Sequence, residues 1–126
     1  MFELTIEIPF SAAHRICGHL GPCAGLHGHN YRALIRVAGE ELDELGMLVD
    51  FAELKRICAE VLGPLDHTYL NDLPQFGQVN PTAEALARHI YLGLAPKLAA
   101  ATGNRTRVAQ VSVFESERSS ATYREG

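Results

Sequence analysis

Hydrophobic and polar side chains alternate almost perfectly along the first ten residues of the chain. The apolar residues from Phe2 to Phe10 share one parity, and acidic and hydroxyl residues take the other. Successive side chains of a β-strand point to opposite faces, so this pattern predicts a half-buried strand. Pro9 fits near its end or on an edge, because proline cannot donate a hydrogen bond to a sheet.

A long irregular segment separates this strand from the next. Residues 11–30 contain glycine at positions 18, 21, 25 and 28 and show no useful periodicity, so we expect a loop. Alternation resumes from Tyr31 to Ala38, with only Leu34 out of phase, and predicts a second strand. Loops of this length are usually functional in compact domains, which makes the segment the first place to look for chemistry.

Two later segments are typical of helices. Asp50 is a predicted N-cap, and Glu53 three residues later is typical of a capping box. An apolar stripe at helical spacing follows, and a Gly-Pro pair at 63–64 is expected to end the helix. An Asn-Pro pair at 80–81 predicts a second helix with proline at its first position. Pro96 is expected to kink or shorten that helix near its end.

Period-two alternation returns near the carboxyl end of the chain. Ala109, Val111 and Val113 share one parity and predict a third strand, and a short fourth strand is expected at 121–124. The order ββααββ predicts an α+β fold in which a four-stranded antiparallel sheet carries two helices on one face. With 126 residues, we expect one domain, residues 1–126.

Composition narrows the functional classes. Hydrophobic residues make up 47% of the chain and charged residues 21%, as in ordinary globular domains. The formal net charge of -4 argues against nucleic-acid binding, and no apolar run approaches the roughly 20 residues that span a membrane. The N-terminus lacks a secretion signal, and three cysteines are an odd number, so a disulfide framework is not expected. We therefore expect a cytoplasmic protein.

Three of the six histidines converge on one place in the predicted sheet. His27 and His29 occupy positions i and i+2 of an extended backbone, so they project to the same side. Antiparallel pairing of the first two strands brings His14 beside them. Three imidazoles with an open fourth position are typical of catalytic zinc, whereas structural zinc usually has four protein ligands. The alternative is that these histidines are ordinary polar core residues.

The cysteines near these histidines leave the kind of metal site open. Cys23 precedes His27 by four residues, so its sulfur is either a fourth zinc ligand or a free thiolate base. A Cys2His2 site that also uses Cys17 is a further alternative, although its spacing differs from common zinc-finger patterns. Cys58 falls on the apolar stripe of the first helix and is expected to be a small buried core residue.

Three further side chains suggest acid–base chemistry and ligand binding. Asp66 and His67 are adjacent, and a carboxylate can orient an imidazole as a proton relay, although such pairs also occur by chance in loops. Glu115 continues the apolar parity of Val113, and a buried carboxylate is costly unless it is paired or binds a ligand. We interpret Glu115 as an anchor for a planar, donor-rich ligand. The alternatives are an internal salt bridge and a position at the solvent edge.

Several motifs together resemble the 6-pyruvoyltetrahydropterin synthase family and, within it, the bacterial 6-carboxytetrahydropterin synthases of queuosine biosynthesis. The resemblance implies the tunnelling fold, in which subunits form a trimeric barrel that usually pairs into a homohexamer, with active sites at subunit interfaces. The matching segments run through nearly the whole chain in the family's order: FSAAH (10–14), CAGLHGHNY (23–31), VDFAELK (49–55), LDHTYLND (65–72), NPTAE (80–84) and VFE (113–115), leading to Tyr123.

The same resemblance implies a substrate and a role for each candidate residue. The substrate is 7,8-dihydroneopterin triphosphate, which the carboxy-forming branch converts to 6-carboxy-5,6,7,8-tetrahydropterin with loss of triphosphate and acetaldehyde. The three residues between Cys23 and His27 resemble that branch; a pyruvoyl-forming or folate-pathway sister enzyme and a non-enzymatic protein with structural zinc are alternatives. The implied roles are zinc binding by His14, His27 and His29, proton abstraction by Cys23, a relay of Asp66 and His67, and pterin binding by Glu115.

Overall fold

The computed structural model describes residues 1–126 and contains five strands and two helices, which confirms the predicted α+β class. No helix combines the length and the apolar character that a membrane crossing requires. The elements are β1 (Phe2–His14), β2 (His27–Gly39), α1 (Phe51–Leu62), β3 (Thr68–Tyr69), α2 (Ala83–Thr102), β4 (Arg107–Ser116) and β5 (Ser119–Tyr123).

The strands form one mixed sheet in the order β3-β1-β2-β4-β5. The prediction of four antiparallel strands is wrong, because the short β3 pairs in parallel with β1 at Ala12 and Ala13. Ser11 explains this addition: its carbonyl accepts a hydrogen bond from the His67 amide at 2.6 Å, and its amide donates to Asp66 Oδ1 at 2.9 Å. A two-residue strand is too short to show any periodicity in the sequence.

The first two strands are longer than their hydrophobic pattern predicts. They pair without interruption from Phe2 opposite Gly39 to His14 opposite His27, so the connecting loop covers 15–26 and not 11–30. The added residues are small or polar, and backbone pairing holds them without the alternation that marks a strand in sequence. The last pair of this ladder joins two of the candidate metal ligands.

Helix α1 begins as predicted but without the predicted capping box. The side chain of its N-cap, Asp50, accepts a hydrogen bond from the amide of Ala52 at 2.8 Å. Glu53 instead forms an ion pair with Arg56 on the exposed side of the helix. The helix ends at Leu62, immediately before the Gly-Pro pair.

Helix α2 begins later than the Asn-Pro pair predicts. Its N-cap is Thr82, whose hydroxyl accepts from the amide of Ala85 at 3.1 Å, so Pro81 lies outside the helix. The helix also continues past Pro96 to Thr102. Pro96 is on an exposed face, where water can satisfy the carbonyl that the missing N–H leaves free.

Both helices cover one face of the sheet, as predicted. Helix α2 packs on β4 and β5, and α1 packs on α2 and β1. One apolar cluster joins the layers and includes Ile35 of β2, Leu54 of α1 and Ile90 of α2. The sheet has two open edges, because β5 has no outer neighbour and β1 has one only at Ala12 and Ala13.

Candidate active site

The end of the β1–β2 ladder gathers the three predicted histidines. His14 lies opposite His27, and Ala12 lies opposite His29. The ring centroids are 4.5 Å apart for His14 and His27, 5.1 Å for His14 and His29, and 4.9 Å for His27 and His29. His14 is buried and the other two are half-buried. The sequence-based prediction of convergence therefore agrees with the structure.

Two backbone carbonyls fix how the nitrogens of His14 and His27 are used. His14 Nδ1 lies 2.7 Å from the carbonyl oxygen of Pro81, and His27 Nδ1 lies 2.8 Å from that of Gly25. A carbonyl can only accept, so each Nδ1 donates its proton and each neutral ring has a bare lone pair on Nε2. These two Nε2 atoms are 3.0 Å apart. Facing lone pairs repel at this distance unless a proton or a cation lies between them.

His29 gives independent support for a cation. Its Nε2 atom is buried and has no hydrogen-bond partner, which costs about 1–3 kcal/mol for a polar atom. Burial lowers the pKa of His29; Glu115 raises this pKa and the neighbouring His14 and His27 lower it, so the ring stays neutral, as a ligand must be. One ligand atom from each of the three imidazoles lies within 4.8 Å of the others. The donor set fits zinc with an open coordination position.

Tyr31 supports the histidines from within the core, a role that was not predicted from the sequence. Its hydroxyl lies 3.3 Å from His14 Nδ1, and its ring stacks on Phe10 with centroids 4.8 Å apart. Burial, with a smaller contribution from Glu115, raises the pKa of Tyr31, which keeps its hydroxyl protonated. Tyr31 has the same parity on β2 as His27 and His29, so the strand pattern could have identified it.

Cys23 lies outside the histidine group. It belongs to a single turn of 3-10 helix in the loop, and its carbonyl accepts a hydrogen bond from the amide of Ile16 at 2.8 Å. The ligand atoms that lie within 4.8 Å of one another all belong to the three imidazoles. Cys23 lines a cavity of about 350 Å³ together with His19, Glu84 and Glu115. This placement favours a thiol that faces a ligand over a fourth metal ligand.

Glu115 connects this cavity with the histidines. Its Oε1 atom lies 4.0 Å from His14 Nε2, and 33% of the side chain is exposed. Pairing of β4 with β5 shifts register between Phe114 and Ser116, so Glu115 is the extra residue of a β-bulge. Bulges often redirect a side chain beside a functional site. The Glu115 side chain therefore points to the wall of the cavity, and not into the core as its parity had predicted.

Asp66 and His67 form the predicted pair on a different surface. His67 Nδ1 lies 3.1 Å from Asp66 Oδ1, and hydrogen bonds from the Ser11 amide and from His67 lower the pKa of Asp66. The His67 side chain is 82% exposed, and its φ of 55° is in the left-handed region, where histidine is enriched. His67 lines a pocket with His29 and Asn30, whereas Cys23 lines a different cavity, so one chain does not bring His67 to the Cys23 cavity.

The other two cysteines differ sharply in environment. Cys58 is fully buried in the core, as predicted, and burial raises the pKa of its thiol to about 12. Cys17 is exposed and lines a pocket with Arg15, Asn71 and Asn80, away from the Cys23 cavity. The ligand group contains neither of the two cysteines near the histidines, so the structure favours a three-histidine site over a Cys2His2 site.

Known proteins resemble the chain along almost its full length. A family model for 6-pyruvoyl tetrahydropterin synthase matches residues 3–126. The 6-carboxy-5,6,7,8-tetrahydropterin synthase of Bacillus subtilis is 41% identical over an alignment of 128 positions, which covers 98% of this chain and 85% of that protein. The enzyme of the same name from Synechocystis is 40% identical over 99 residues, covering 75% of each chain.

A solved structure agrees with these relatives. The 6-pyruvoyl tetrahydropterin synthase of Caenorhabditis elegans superposes with a TM-score of 0.83 and 28% identity, covering 100% of this chain and 98% of that one. This match confirms the subunit fold that the resemblance implies, with the strand number corrected as above. The chain belongs to the 6-pyruvoyl tetrahydropterin synthase family and is an enzyme of the lyase type.

Proposed function

We propose that the protein is a zinc-dependent 6-carboxy-5,6,7,8-tetrahydropterin synthase. It converts 7,8-dihydroneopterin triphosphate and one water molecule to 6-carboxy-5,6,7,8-tetrahydropterin, triphosphate and acetaldehyde. We place this reaction in queuosine biosynthesis. The observation that carries the proposal is the group of three imidazoles with one ligand atom each within 4.8 Å of the others, which Glu115 connects to the Cys23 cavity. The names of the Bacillus and Synechocystis relatives support the carboxy-forming reaction.

The proposed metal site consists of three ligands and of the backbone carbonyls that orient two of them. His14, His27 and His29 would hold zinc through Nε2, and the bound ion would supply a Lewis acid that acidifies a C–H bond of the substrate side chain. The carbonyls of Pro81 and Gly25 keep the proton on Nδ1 of His14 and His27, so their Nε2 atoms remain available.

Cys23 is the proposed base. Its thiolate takes the proton from the substrate carbon at Sγ and can return it to a neighbouring carbon. The half-buried position of the thiol allows contact with a ligand in the cavity while limiting contact with water. Because the thiol is not part of the histidine group, it is free to move protons.

Glu115 is the proposed anchor for the pterin ring, and Glu115→Gln tests this role. A carboxylate can accept two parallel hydrogen bonds from the ring, whereas glutamine places a donor against one of them. We expect zinc to be retained and substrate affinity to fall by about 10- to 100-fold, as loss of one charge-assisted hydrogen bond implies. Isothermal titration in an inactive Cys23→Ser background measures the affinity directly.

Glu117→Gln is the matched control for this experiment, because Glu117 is an exposed glutamate two residues away on the turn after β4. It should bind substrate as the unsubstituted protein does. Equal affinity of the Glu115→Gln and Glu117→Gln proteins would remove Glu115 from the pterin site.

The Asp66–His67 pair completes the proposed site across a subunit interface. One chain leaves His67 exposed and away from the Cys23 cavity, although we assign both to proton transfer. The open edges of the sheet at β1 and β5 offer backbone groups for pairing with further copies. We therefore propose a trimer or hexamer in which the pair of one copy serves the cavity of its neighbour.

Product analysis tests the proposed reaction. Incubation of the zinc-loaded protein with 7,8-dihydroneopterin triphosphate should yield equal amounts of acetaldehyde, triphosphate and 6-carboxy-5,6,7,8-tetrahydropterin, and chelation of zinc should stop all three. The resemblance to the nematode 6-pyruvoyl tetrahydropterin synthase makes 6-pyruvoyltetrahydropterin the second candidate product. Triphosphate release without acetaldehyde would contradict the first assignment and support the second.

A further inference from the structure

Two asparagine side chains hold the chain segment that follows His14. The amide of Arg15 donates to Asn71 Oδ1 at 2.9 Å, and Asn71 Nδ2 donates to the carbonyl of Arg15 at 3.1 Å. Asn80 makes the same pair of bonds with Cys17, both at 2.9 Å. A carboxamide has the donor and acceptor arrangement of a peptide group, so each asparagine replaces a neighbouring strand at this point.

Ile16 lies between the two residues that the asparagines bind, and it connects them to the proposed base, Cys23. The amide of Ile16 donates to the carbonyl of Cys23 at 2.8 Å. Ile16 and Cys23 line the same cavity, whereas Arg15 and Cys17 line the pocket that contains both asparagines. The segment thus alternates like a strand, with one side held by asparagines and the other facing the candidate active site.

Asn80 is also next to the residue that orients a metal ligand. The carbonyl of Pro81 accepts the hydrogen bond from His14 Nδ1 at 2.7 Å. The stretch 80–81 therefore contacts both the histidine group and the segment that carries Cys23. Without the asparagine bonds, the loop of residues 15–26 would have few other hydrogen bonds to the rest of the chain.

We propose that Asn71 and Asn80 are positioning residues that set the location of Cys23 relative to the three histidines. The inference rests on the proposed role of Cys23 as the base. Neither asparagine touches the cavity that Cys23 lines, so each acts through the backbone of residues 15–17. Proton transfer is sensitive to such placement, since a shift of about 1 Å can cost about 10²-fold in rate.

The variants Asn71→Asp and Asn80→Asp test the proposal. Aspartate keeps the acceptor oxygen but replaces the donor with an oxygen that repels the carbonyl of Arg15 or Cys17. We expect folded, zinc-loaded proteins in which kcat falls by up to about 10²-fold while KM changes less than about twofold. A lower kcat with an almost unchanged KM indicates a misplaced base, whereas loss of substrate binding would raise KM.

Alkylation of Cys23 gives a readout that does not depend on turnover. In a Cys17→Ser background, Cys23 is the only thiol that is not buried. Release of residues 15–17 should make Cys23 react faster with iodoacetamide. A role in stability alone would lower the melting temperature but leave both kcat and the alkylation rate unchanged well below the transition.

Asn104→Asp is the matched control, since Asn104 is exposed and its side chain makes no hydrogen bond. It should match the unsubstituted protein in kcat and alkylation rate. Unchanged kcat and alkylation in both Asn71→Asp and Asn80→Asp would overturn the positioning role, as would failure of both to fold, which would make the asparagines folding residues. If Cys23→Ser itself stays active, the role of Cys23 fails, whatever the asparagine variants show.

Discussion

Replacement of Cys23 by serine is expected to lower kcat by about 10²- to 10⁴-fold, the usual contribution of a positioned acid–base group. Serine preserves the shape of the side chain, but its hydroxyl does not ionise near neutral pH and cannot accept the substrate proton. The protein should stay folded and keep its zinc, because Cys23 lies outside the histidine group. Steady-state kinetics and zinc content by mass spectrometry measure both effects.

Cys17→Ser provides the comparison within the same loop. Cys17 is exposed and lies away from the Cys23 cavity, and only its backbone bonds to Asn80. We expect normal turnover and normal zinc content for this variant. A Cys23→Ser protein that lost zinc and unfolded would instead identify Cys23 as a structural metal ligand.

Removal of one histidine should have the largest effect on the metal. His29→Ala deletes one of three ligands, and the two that remain leave zinc held mainly by water. Loss of a hydrogen-bond partner of a metal ligand lowers metal affinity by about 10- to 100-fold. We expect loss of a ligand itself to lower zinc affinity by more than this, and activity to disappear with the metal. Competition with a coloured chelator measures the affinity.

His89→Gln controls for the loss of a histidine elsewhere. His89 lies on α2 against the ring of Phe76, with centroids 5.5 Å apart, and burial lowers its pKa. It takes no part in the histidine group, so its substitution should leave zinc affinity unchanged. Equal zinc affinity in His29→Ala and His89→Gln proteins would contradict the assigned site.

The convergence of the histidines could be predicted because it depends on strand geometry alone. His27 and His29 differ by two positions on one strand, and antiparallel pairing with β1 places His14 opposite His27. Both conclusions follow from extending the two predicted strands toward each other as an extended, antiparallel pair, without knowledge of side-chain packing. Glu115 was predicted to point inward because it is two residues after the buried Val113 on the same strand. A β-bulge at Glu115 instead directs the carboxylate to a cavity wall.

The partners that orient the site could not be predicted. Pro81 is 67 residues from His14 in sequence, and Asn71 and Asn80 are 56 and 63 residues from the backbone groups that they bind. Such contacts depend on the tertiary arrangement, which local patterns do not encode. Strand β3 was missed for a related reason: two residues held by Ser11 show no alternation.

The position of the Asp66–His67 pair relative to Cys23 could not be predicted for another reason. The structure brings Asp66 and His67 together, as predicted. The family resemblance also associated them with Cys23, but His67 and Cys23 line separate pockets in a single chain. Periodicity and residue spacing do not report contacts between copies, and only the family resemblance implied active sites at subunit interfaces. The exposed His67 side chain is therefore informative only once the three-dimensional structure is known.

X-ray absorption at the zinc edge tests the central claim most directly, namely that the histidines form an open catalytic site with Cys23 outside it. The zinc-loaded protein should show a first shell of three imidazole nitrogens at about 2.0–2.1 Å and oxygen from water, with no sulfur. A sulfur shell at about 2.3 Å would contradict the account, because Cys23 would then be a ligand and not the base.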